Sequence, residues 1–220
     1  MAKIKIYYIK TVALINSLIQ EGWLKTEKYI KAFEKIKRAD FLPEDSKDLA
    51  ELNEALPIGF GQTVSQPLVV AFMVELLKPE EGEKILDVGS GSGWTAALLA
   101  EIVGDKGKVI ALEIVSELKE FGEKNILKYN FIKEERAEFI CTDGSKGYKK
   151  EAPYDKILAS ASVQGEIPRA WKEQLKIGGR IVAPMGNSIW LIIKNPPAGG
   201  QEEFEEIEYP GFVFVPLIEK

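Results

Sequence analysis

The sequence predicts an α/β fold built on a doubly wound, mainly parallel seven-stranded sheet. From Lys84 onward, apolar runs typical of strands alternate with longer segments of helical periodicity. Gly104, Gly107 and Gly178-Gly179 mark turns between these segments. A glycine-rich turn, Gly89–Gly93, follows the first strand and opens a helix. Because the carboxyl ends of parallel strands meet at one edge of a sheet, we expect a ligand there.

The first fifty-five residues predict a helical extension that precedes the sheet. Ile6–Ile15 has the composition of a helix, and Thr26 can cap a second helix that ends near Asp40. A loop rich in Gly, Gln, Thr and Ser follows over Leu56–Pro67. Proline suits the first turn of a helix, so we expect the next helix at Pro67–Leu77.

Strands and helices alternate through the rest of the chain. The predicted strands are Lys84–Val88, Lys108–Glu113, Ala137–Cys141, Tyr154–Ser160, Arg180–Pro184 and Ile189–Lys194. The predicted helices are Trp94–Val103, Ser116–Tyr129 and Ile167–Leu175.

The end of the chain predicts the edge of the sheet. The apolar run Phe212–Leu217 predicts one more strand. No helix separates the final strands, which favours an antiparallel hairpin at this edge. The turn Asn195–Gly200, with two prolines and two glycines, is expected to lead into it. The charge-rich stretch Glu202–Glu208 predicts solvated surface.

Composition limits the classes of function. The chain has 220 residues, 45% of them hydrophobic, and a net charge of −5. These values predict one domain over residues 1–220 and no general attraction to nucleic acid. Within that domain we expect the extension at 1–55, the glycine-rich loop and its helix at 56–77, and the α/β core at 78–220. Met1–Ile15 has no small-residue cleavage site, and no apolar run could span a bilayer, so neither secretion nor membrane insertion is expected.

The sequence contains no histidine and a single cysteine, Cys141. Ser-His nucleophile activation, a histidine general base and histidine-ligated zinc are therefore excluded, and we expect no metal site. One cysteine also excludes a disulfide within the chain and fits a reducing compartment, so the expected location is the cytoplasm. We expect Cys141 to be a small buried strand residue. No feature of the sequence indicates a particular oligomeric state.

The turn after the first strand has alternating glycines at Gly89, Gly91 and Gly93. A dinucleotide-binding fold has Gly-x-Gly-x-x-Gly at this place, where it cradles a pyrophosphate. The alternating spacing instead favours a nucleoside ligand without phosphate. Glu113 ends the next strand, twenty residues after Gly93, where a carboxylate can accept hydrogen bonds from both ribose hydroxyls.

Two further carboxylates lie at the same predicted edge. Asp87 lies inside the apolar first strand, where an unpaired carboxylate would be costly. We therefore expect it to meet a cofactor's ammonium or the amides of the turn, and simple capping of the turn is the alternative. Asp143-Gly144 follows the third strand and offers a carboxylate and exposed amides suited to an adenine ring.

The order Asp-x-Gly-x-Gly-x-Gly, a strand-end Glu and then Asp-Gly resembles the class I S-adenosylmethionine-dependent methyltransferases, whose sheet is Rossmann-like. The segment Leu56–Pro67 (LPIGFGQTVSQP) is more specific, because it resembles the protein-L-isoaspartate (D-aspartate) O-methyltransferase family. Other blocks that follow the family's order are Arg38–Pro43, Glu151–Asp155, Gln174–Arg180 and Phe214–Leu217.

The resemblance implies methyl transfer from S-adenosylmethionine to the free carboxylate of L-isoaspartyl residues in damaged proteins and peptides, with S-adenosylhomocysteine as product. By the family's pattern Ser65 is the active-site hydroxyl. The predicted cofactor-binding residues are Gln62, Thr63, Val64, Asp87, Gly89, Gly91, Gly93, Glu113, Asp143 and Gly144. A substrate carboxylate is ionised at neutral pH and needs no general base, so a chain without histidine can catalyse this reaction. Ser65 would orient that carboxylate by donating a hydrogen bond; a helix cap before Pro67 is its structural alternative.

Two other functions stay open at the level of the sequence. One is a methyltransferase for another acceptor, a small molecule or RNA, although the acidic net charge disfavours RNA. The other is a non-catalytic paralogue that binds S-adenosylmethionine and serves as an interaction module. The departures from the family pattern at Leu68–Val70 and Ser160–Gly165 leave the substrate range and the non-catalytic alternative open.

Overall fold

The computed structural model describes residues 13–199 and 201–220. Residues 13–20 are helical (α1), and short 3-10 turns cover Arg38–Phe41 and Glu44–Leu49. The further helices are α2 (Glu27–Lys35), α3 (Pro67–Leu77), α4 (Trp94–Val103), α5 (Ser116–Ile126) and α6 (Arg169–Gln174). The strands are β1 (Leu56–Gly59), β2 (Gln62–Val64), β3 (Lys84–Val88), β4 (Lys108–Glu113), β5 (Ala137–Cys141), β6 (Tyr154–Ala159), β7 (Leu175–Met185), β8 (Ser188–Ala198) and β9 (Gln201–Pro210).

The central sheet has seven strands in the order β5-β4-β3-β6-β7-β8-β9. Strands β3 to β7 run parallel to one another. Strand β8 pairs antiparallel with β7, and β9 pairs antiparallel with β8 at the edge of the sheet. The order reverses beside β3, where the chain first winds outward through β4 to β5 and then returns to β6. The prediction of a doubly wound, mainly parallel sheet with an antiparallel edge is confirmed.

Apolar side chains cover both faces of the sheet because neighbouring residues of a strand point in opposite directions. In β3, Ile85 packs with the residues of α3 and α4, whereas Leu86 packs on the other face with Trp171 of α6. All three side chains are fully buried. The N-terminal extension adds Phe33 and its neighbours to the first of these cores. With both faces covered, the edge at the carboxyl ends of the strands is left for a ligand.

The seventh strand is β9, so the prediction of a strand at Phe212–Leu217 was wrong. That segment forms only an isolated bridge between Pro216 and Ser162. The glutamate-rich stretch predicted as solvated surface does expose Glu203, Glu205, Glu206 and Glu208, but it also belongs to β9 and pairs with β8. Its apolar residues serve opposite faces, since Phe204 packs in one core and Ile207 packs in the other. The four exposed glutamates hide the apolar pattern of this edge strand in the sequence.

The other differences concern boundaries. Strand β7 begins at Leu175, because Gly178-Gly179 lie in an irregular stretch of its pairing with β6 rather than in a turn between elements. Helix α2 ends at Lys35, before the 3-10 turns, and β8 continues to Ala198 through the predicted turn. The predicted loop before α3 contains the antiparallel β1–β2 hairpin. The helix expected at Ile6–Ile15 lies largely outside the described residues.

Two surface properties complete the description. Cys141 is exposed at the end of β5, so the expectation that it is buried was wrong. Within residues 13–199 and 201–220, no helix is both long and apolar enough to cross a membrane.

Candidate active site

A cleft opens at the edge where the carboxyl ends of β3, β4, β5 and β6 meet. Its empty volume, open solvent included, is about 710 Å³. The walls come from the β1–β2 hairpin and Ser65, the turn after β3 with the start of α4, the residues that follow β4, β5 and β6, and the C-terminal segment Val215–Ile218. The predicted residues that line the cleft are Gln62, Thr63, Val64, Ser65, Gly89, Gly91, Glu113 and Gly144.

The glycine turn adopts backbone angles that side chains rarely tolerate. The φ angles of Gly89, Gly91 and Gly93 are 74°, 50° and 85°. Gly91 lies under the hairpin, because a Cβ there would be 3.2 Å from Cδ1 of Ile58. Gly93 does not line the cleft, and a Cβ there would be 3.0 Å from the carbonyl oxygen of Gly122 in α5. The first two glycines therefore shape the cleft, and the third permits close packing behind it.

Glu113 presents a buried carboxylate at the end of β4. Its Oε2 accepts a hydrogen bond from the backbone N–H of Gly91 at 2.8 Å. Its Oε1 accepts hydrogen bonds from the backbone N–H groups of Ile114 and Val115 at 2.9 and 3.0 Å. Because these amides hold the carboxylate in place, it faces the cleft in a fixed orientation. A carboxylate has further lone pairs that could accept from ligand hydroxyls.

Asp87 lies one residue before the lining residue Val88 and is completely buried. Neither of its carboxylate oxygens has a hydrogen-bond partner among the described residues, so the turn amides do not hold it. Burial, with a smaller contribution from the nearby charge of Glu113, raises its pKa to about 7. The hydroxyl of Ser90 and the indole Nε1 of Trp94 are likewise buried without a partner. This concentration of unpaired polar atoms beside the cleft suits a polar ligand.

Asp143 faces away from the cleft. Its Oδ1 accepts from the backbone N–H and hydroxyl of Ser145, and its Oδ2 accepts from the backbone N–H of Lys220. Burial opposes ionisation of Asp143, but these hydrogen bonds and Lys146 outweigh it and lower its pKa to about 2. Its neighbour Gly144 does line the cleft. Asp143 therefore fastens the C-terminal segment in this structure, and its contact with a ligand stays a prediction.

A second cavity adjoins the cleft, with an empty volume of about 720 Å³. The two cavities share the side chains of Thr63, Ser65, Ser160 and Val215. The second cavity is lined by uncharged residues among those described: Ala55, Thr63, Ser65, Gln66, Val69, Ser160, Val213, Phe214 and Val215. Ser65 thus stands at the junction between a polar cleft and a largely apolar cavity.

Sequence reasoning missed several residues of the cleft. Trp94 lines it from the first turn of α4, although it is only 3% exposed and packs edge-on against Phe33. The residues after β4 and the segment Val215–Ile218 also line it. A backbone ladder holds that segment in place: the N–H of Ser162 donates to Val215, and the N–H of Leu217 donates to Ser162. The sequence marked Phe214–Leu217 only as a block in the family's order and gave it no place at the cleft; the return of the chain after β9 brings it there.

Comparison with known proteins agrees with this geometry. The sequence model of the family described as protein-L-isoaspartate (D-aspartate) O-methyltransferase matches residues 9–220. The chain belongs to that family. A relative from Archaeoglobus fulgidus, named protein-L-isoaspartate O-methyltransferase 2, is 45% identical over 212 residues, or 96% of this chain and 94% of the relative. A relative from Methanopyrus kandleri with the name protein-L-isoaspartate O-methyltransferase is 40% identical over 93% of this chain and 89% of its own length.

Solved structures show the same fold. A protein-L-isoaspartate O-methyltransferase superposes with a TM-score of 0.82 at 27% identity over 94% of this chain, which spans 65% of that protein. A Plasmodium falciparum protein provisionally assigned to the family, solved with S-adenosyl-L-homocysteine, superposes with a TM-score of 0.83 at 21% identity. That alignment covers 94% of this chain and 98% of the other. Among the described residues of this chain, no group of three or more candidate ligands could hold a metal ion.

Proposed function

We propose that this protein is a repair methyltransferase that moves a methyl group from S-adenosylmethionine to the free carboxylate of L-isoaspartyl residues in damaged proteins and peptides. The observation that carries the proposal is the position of Ser65 between the cofactor-type cleft and the adjoining uncharged cavity. A transferase for two reactants needs two sites that meet at the reacting atoms. The family to which the chain belongs supplies the identity of both reactants.

The residues of the cleft fit the cofactor. Glu113 is held by three backbone amides with its carboxylate facing the cleft, where ribose hydroxyls could donate to it. Asp87 is a buried carboxylate without a protein partner, and it would be stabilised by the positive charge of the cofactor. The glycine turn leaves room for close approach of the ligand to the backbone. Gln62, Thr63, Val64 and Gly144 would complete the lining.

The adjoining cavity suits the acceptor. S-adenosylmethionine supplies an electrophilic methyl group, which an ionised carboxylate can accept without a general base. The reaction joins a carboxylate to a cationic methyl donor and leaves two neutral groups. An uncharged cavity therefore favours it, since poor solvation of the separate charges raises the ground state relative to the transition state. Ser65, with Thr63 and Ser160, offers hydroxyl donors that would orient the carboxylate.

The test uses two peptides that differ only in L-isoaspartate against L-aspartate, each incubated with the protein and methyl-labelled S-adenosylmethionine. We expect base-labile label, released as methanol, on the isoaspartyl peptide alone. Cofactor binding without label on either peptide would contradict the proposal and favour a non-catalytic binding protein. Label on both peptides would indicate a broader carboxyl methyltransferase.

The partners, the location and the domain organisation of the protein belong to the same proposal. We assign isoaspartyl proteins and peptides as partners and give no role to nucleic acid or membranes, for which a net charge of −5 offers no general attraction. A cytoplasmic location is supported by the single cysteine of the sequence. We also propose that residues 1–220 act as one methyltransferase domain, with 1–55 as its extension, 56–77 as the substrate segment and 78–220 as the cofactor-binding core.

A further inference from the structure

Arg38 is a buried cation in the N-terminal extension, outside both cavities. It lies in the 3-10 turn Arg38–Phe41 and is only 4% exposed. Its guanidinium donates hydrogen bonds to four backbone carbonyl oxygens: Nη1 to Ala50 at 2.9 Å and Leu52 at 3.1 Å, and Nη2 to Glu54 at 2.7 Å and Ser65 at 3.1 Å. All four acceptors lie on the segment that leads into or out of the β1–β2 hairpin.

The two bonds from Nη2 close the base of that hairpin. Glu54 precedes β1 and Ser65 follows β2, so one nitrogen holds both ends of the loop together. Ser65 is therefore placed through its own carbonyl oxygen, and the residue lines both cavities. A guanidinium has donors at fixed angles in one plane, so it sets the direction of each bond as well as its length.

The same guanidinium lies beside a residue of the cleft. Its central carbon lies 5.3 Å from the ring centroid of Trp94, a cation–π distance. Trp94 begins α4 directly after the glycine turn and lines the cleft. Arg38 thus contacts both the base of the hairpin and the helix that follows the glycine turn.

We propose that Arg38 is a positioning residue, which sets the place of the Ser65 hydroxyl relative to the methyl donor. The inference rests on the proposed function, because the placement is detected through methyl transfer. Without the Arg38 guanidinium and its hydrogen bonds, the hairpin would keep its strands, but its base could shift relative to the glycine turn. An error of about 1 Å in such a site can lower the rate about a hundredfold. The expected loss is therefore in turnover rather than in cofactor binding.

The test is a double-mutant cycle of Arg38→Met with Ser65→Ala, measured as kcat on an isoaspartyl peptide together with the Kd for S-adenosylhomocysteine. We expect Arg38→Met alone to lower kcat at least tenfold and to change the Kd less than threefold. In the Ser65→Ala background the same substitution should lower kcat less than threefold, because the group that Arg38 places is already gone. Arg38→Lys should not restore kcat, since an ammonium cannot reproduce the planar fork.

The matched control is Arg180→Met. Arg180 is a half-buried arginine that also donates to a backbone carbonyl, that of Leu76 at 2.9 Å, but it lies at the start of the parallel part of β7, away from the cleft. Its substitution can lower the melting temperature, but it should change kcat by the same small factor with and without Ser65. This pattern distinguishes a variant that is only less stable from one in which the Ser65 hydroxyl is misplaced.

Three results would overturn the inference: an unchanged kcat in Arg38→Met, an equal loss of kcat in both Ser65 backgrounds, or a Kd that rises in step with the fall in kcat. Arg38→Gln and Arg38→Lys repeat the cycle if Arg38→Met does not unfold cooperatively. If none of the three variants folds, Arg38 is a structural residue and the inference is wrong. Absence of methyl transfer by the unaltered protein would instead contradict the proposed function.

Discussion

Asp87→Asn should remove a pH-dependent loss of stability that the buried carboxylate causes. Asp87 is completely buried without a hydrogen-bond partner among the described residues, and burial, assisted by Glu113, raises its pKa to about 7. In the unfolded chain its pKa is the ordinary 3.8. Between these two values the unfolded state releases a proton that the folded state keeps, so ionisation favours unfolding.

The sign and the size follow from those two pKa values. Below about pH 4 neither state is ionised, and Asp87 costs nothing. The free energy of unfolding then falls as the pH rises, and above pH 7 the loss is constant. A difference from 3.8 to about 7 corresponds to an upper limit of about 4 kcal/mol. Water entry and local relaxation will reduce this figure, so we expect about 2–4 kcal/mol.

The assay is urea denaturation of the cofactor-free protein and of Asp87→Asn at intervals from pH 4 to pH 8. All other titrations are shared and cancel when the two curves are subtracted. The difference should favour the variant by about 2–4 kcal/mol more at pH 8 than at pH 4. Asp143→Asn is the matched control, because the pKa of Asp143 is lowered to about 2 and its difference curve should be flat above pH 5. Parallel curves for Asp87→Asn would refute the reasoning.

Three other substitutions test the site. Ser65→Ala should lower turnover and leave the Kd for S-adenosylhomocysteine nearly unchanged; an unaltered rate would contradict the role of this hydroxyl. Glu113→Ala should weaken cofactor binding by about 1–3 kcal/mol, because the hydrogen bonds made by its carboxylate are lost. Calorimetry measures this, Glu138→Ala on β5 outside the cleft is the control, and equal affinities would refute it. Gly93→Ala should cost about 1–3 kcal/mol of stability, from its φ of 85° and a Cβ 3.0 Å from a carbonyl oxygen. Gly82→Ala has a similar φ of 81°, but its Cβ would meet only the Cβ of Lys106 at 3.8 Å, an ordinary contact, so an equal cost in urea denaturation would show that crowding is unimportant.

The sequence pattern predicted those elements whose ends are marked by neighbouring glycine or charged residues. Helix α4 lies between Gly93 and Gly104, and β3 lies between a charged residue and a glycine. The bounds of both elements agree with the prediction. Strand β9 was missed because exposed glutamates separate its apolar residues Phe204, Ile207 and Tyr209, so that these do not form an apolar run in the sequence. Its strand character depends on pairing with β8, which is a tertiary property.

The distinction between local sequence signals and tertiary contacts also applies to the candidate site. Residues of the glycine turn and Glu113 were predictable because one strand and its turn carry them. Arg38 and most of the segment Val215–Ile218 fall in blocks that follow the family's order, but their contacts at the site were not predictable, since they reach it from opposite ends of the chain. Asp143 is absent from the lining, because its carboxylate is bonded to Ser145 and Lys220; the ligand contact that its motif predicts stays a prediction. Sequence motifs identify the strand end, and tertiary contacts decide which atoms face the ligand.

The two adjoining cavities divide the charges of the reaction between them. Glu113 is the one charged residue among the described residues that line the cleft, and Asp87 lies just behind it, so the cleft is negative when both are ionised. Such a site attracts a cationic ligand, whose charge in turn favours ionisation of Asp87. The second cavity has no charged residue in its described lining, and Arg38, which donates to the carbonyl oxygen of Ser65, is not part of that lining. On the proposed function, a lysine or arginine in the lining would bind the substrate carboxylate more tightly but would also stabilise the charge that must disappear in the reaction. Hydroxyl groups at Thr63, Ser65 and Ser160 can orient the carboxylate without that penalty, which explains why an uncharged cavity adjoins a negative one.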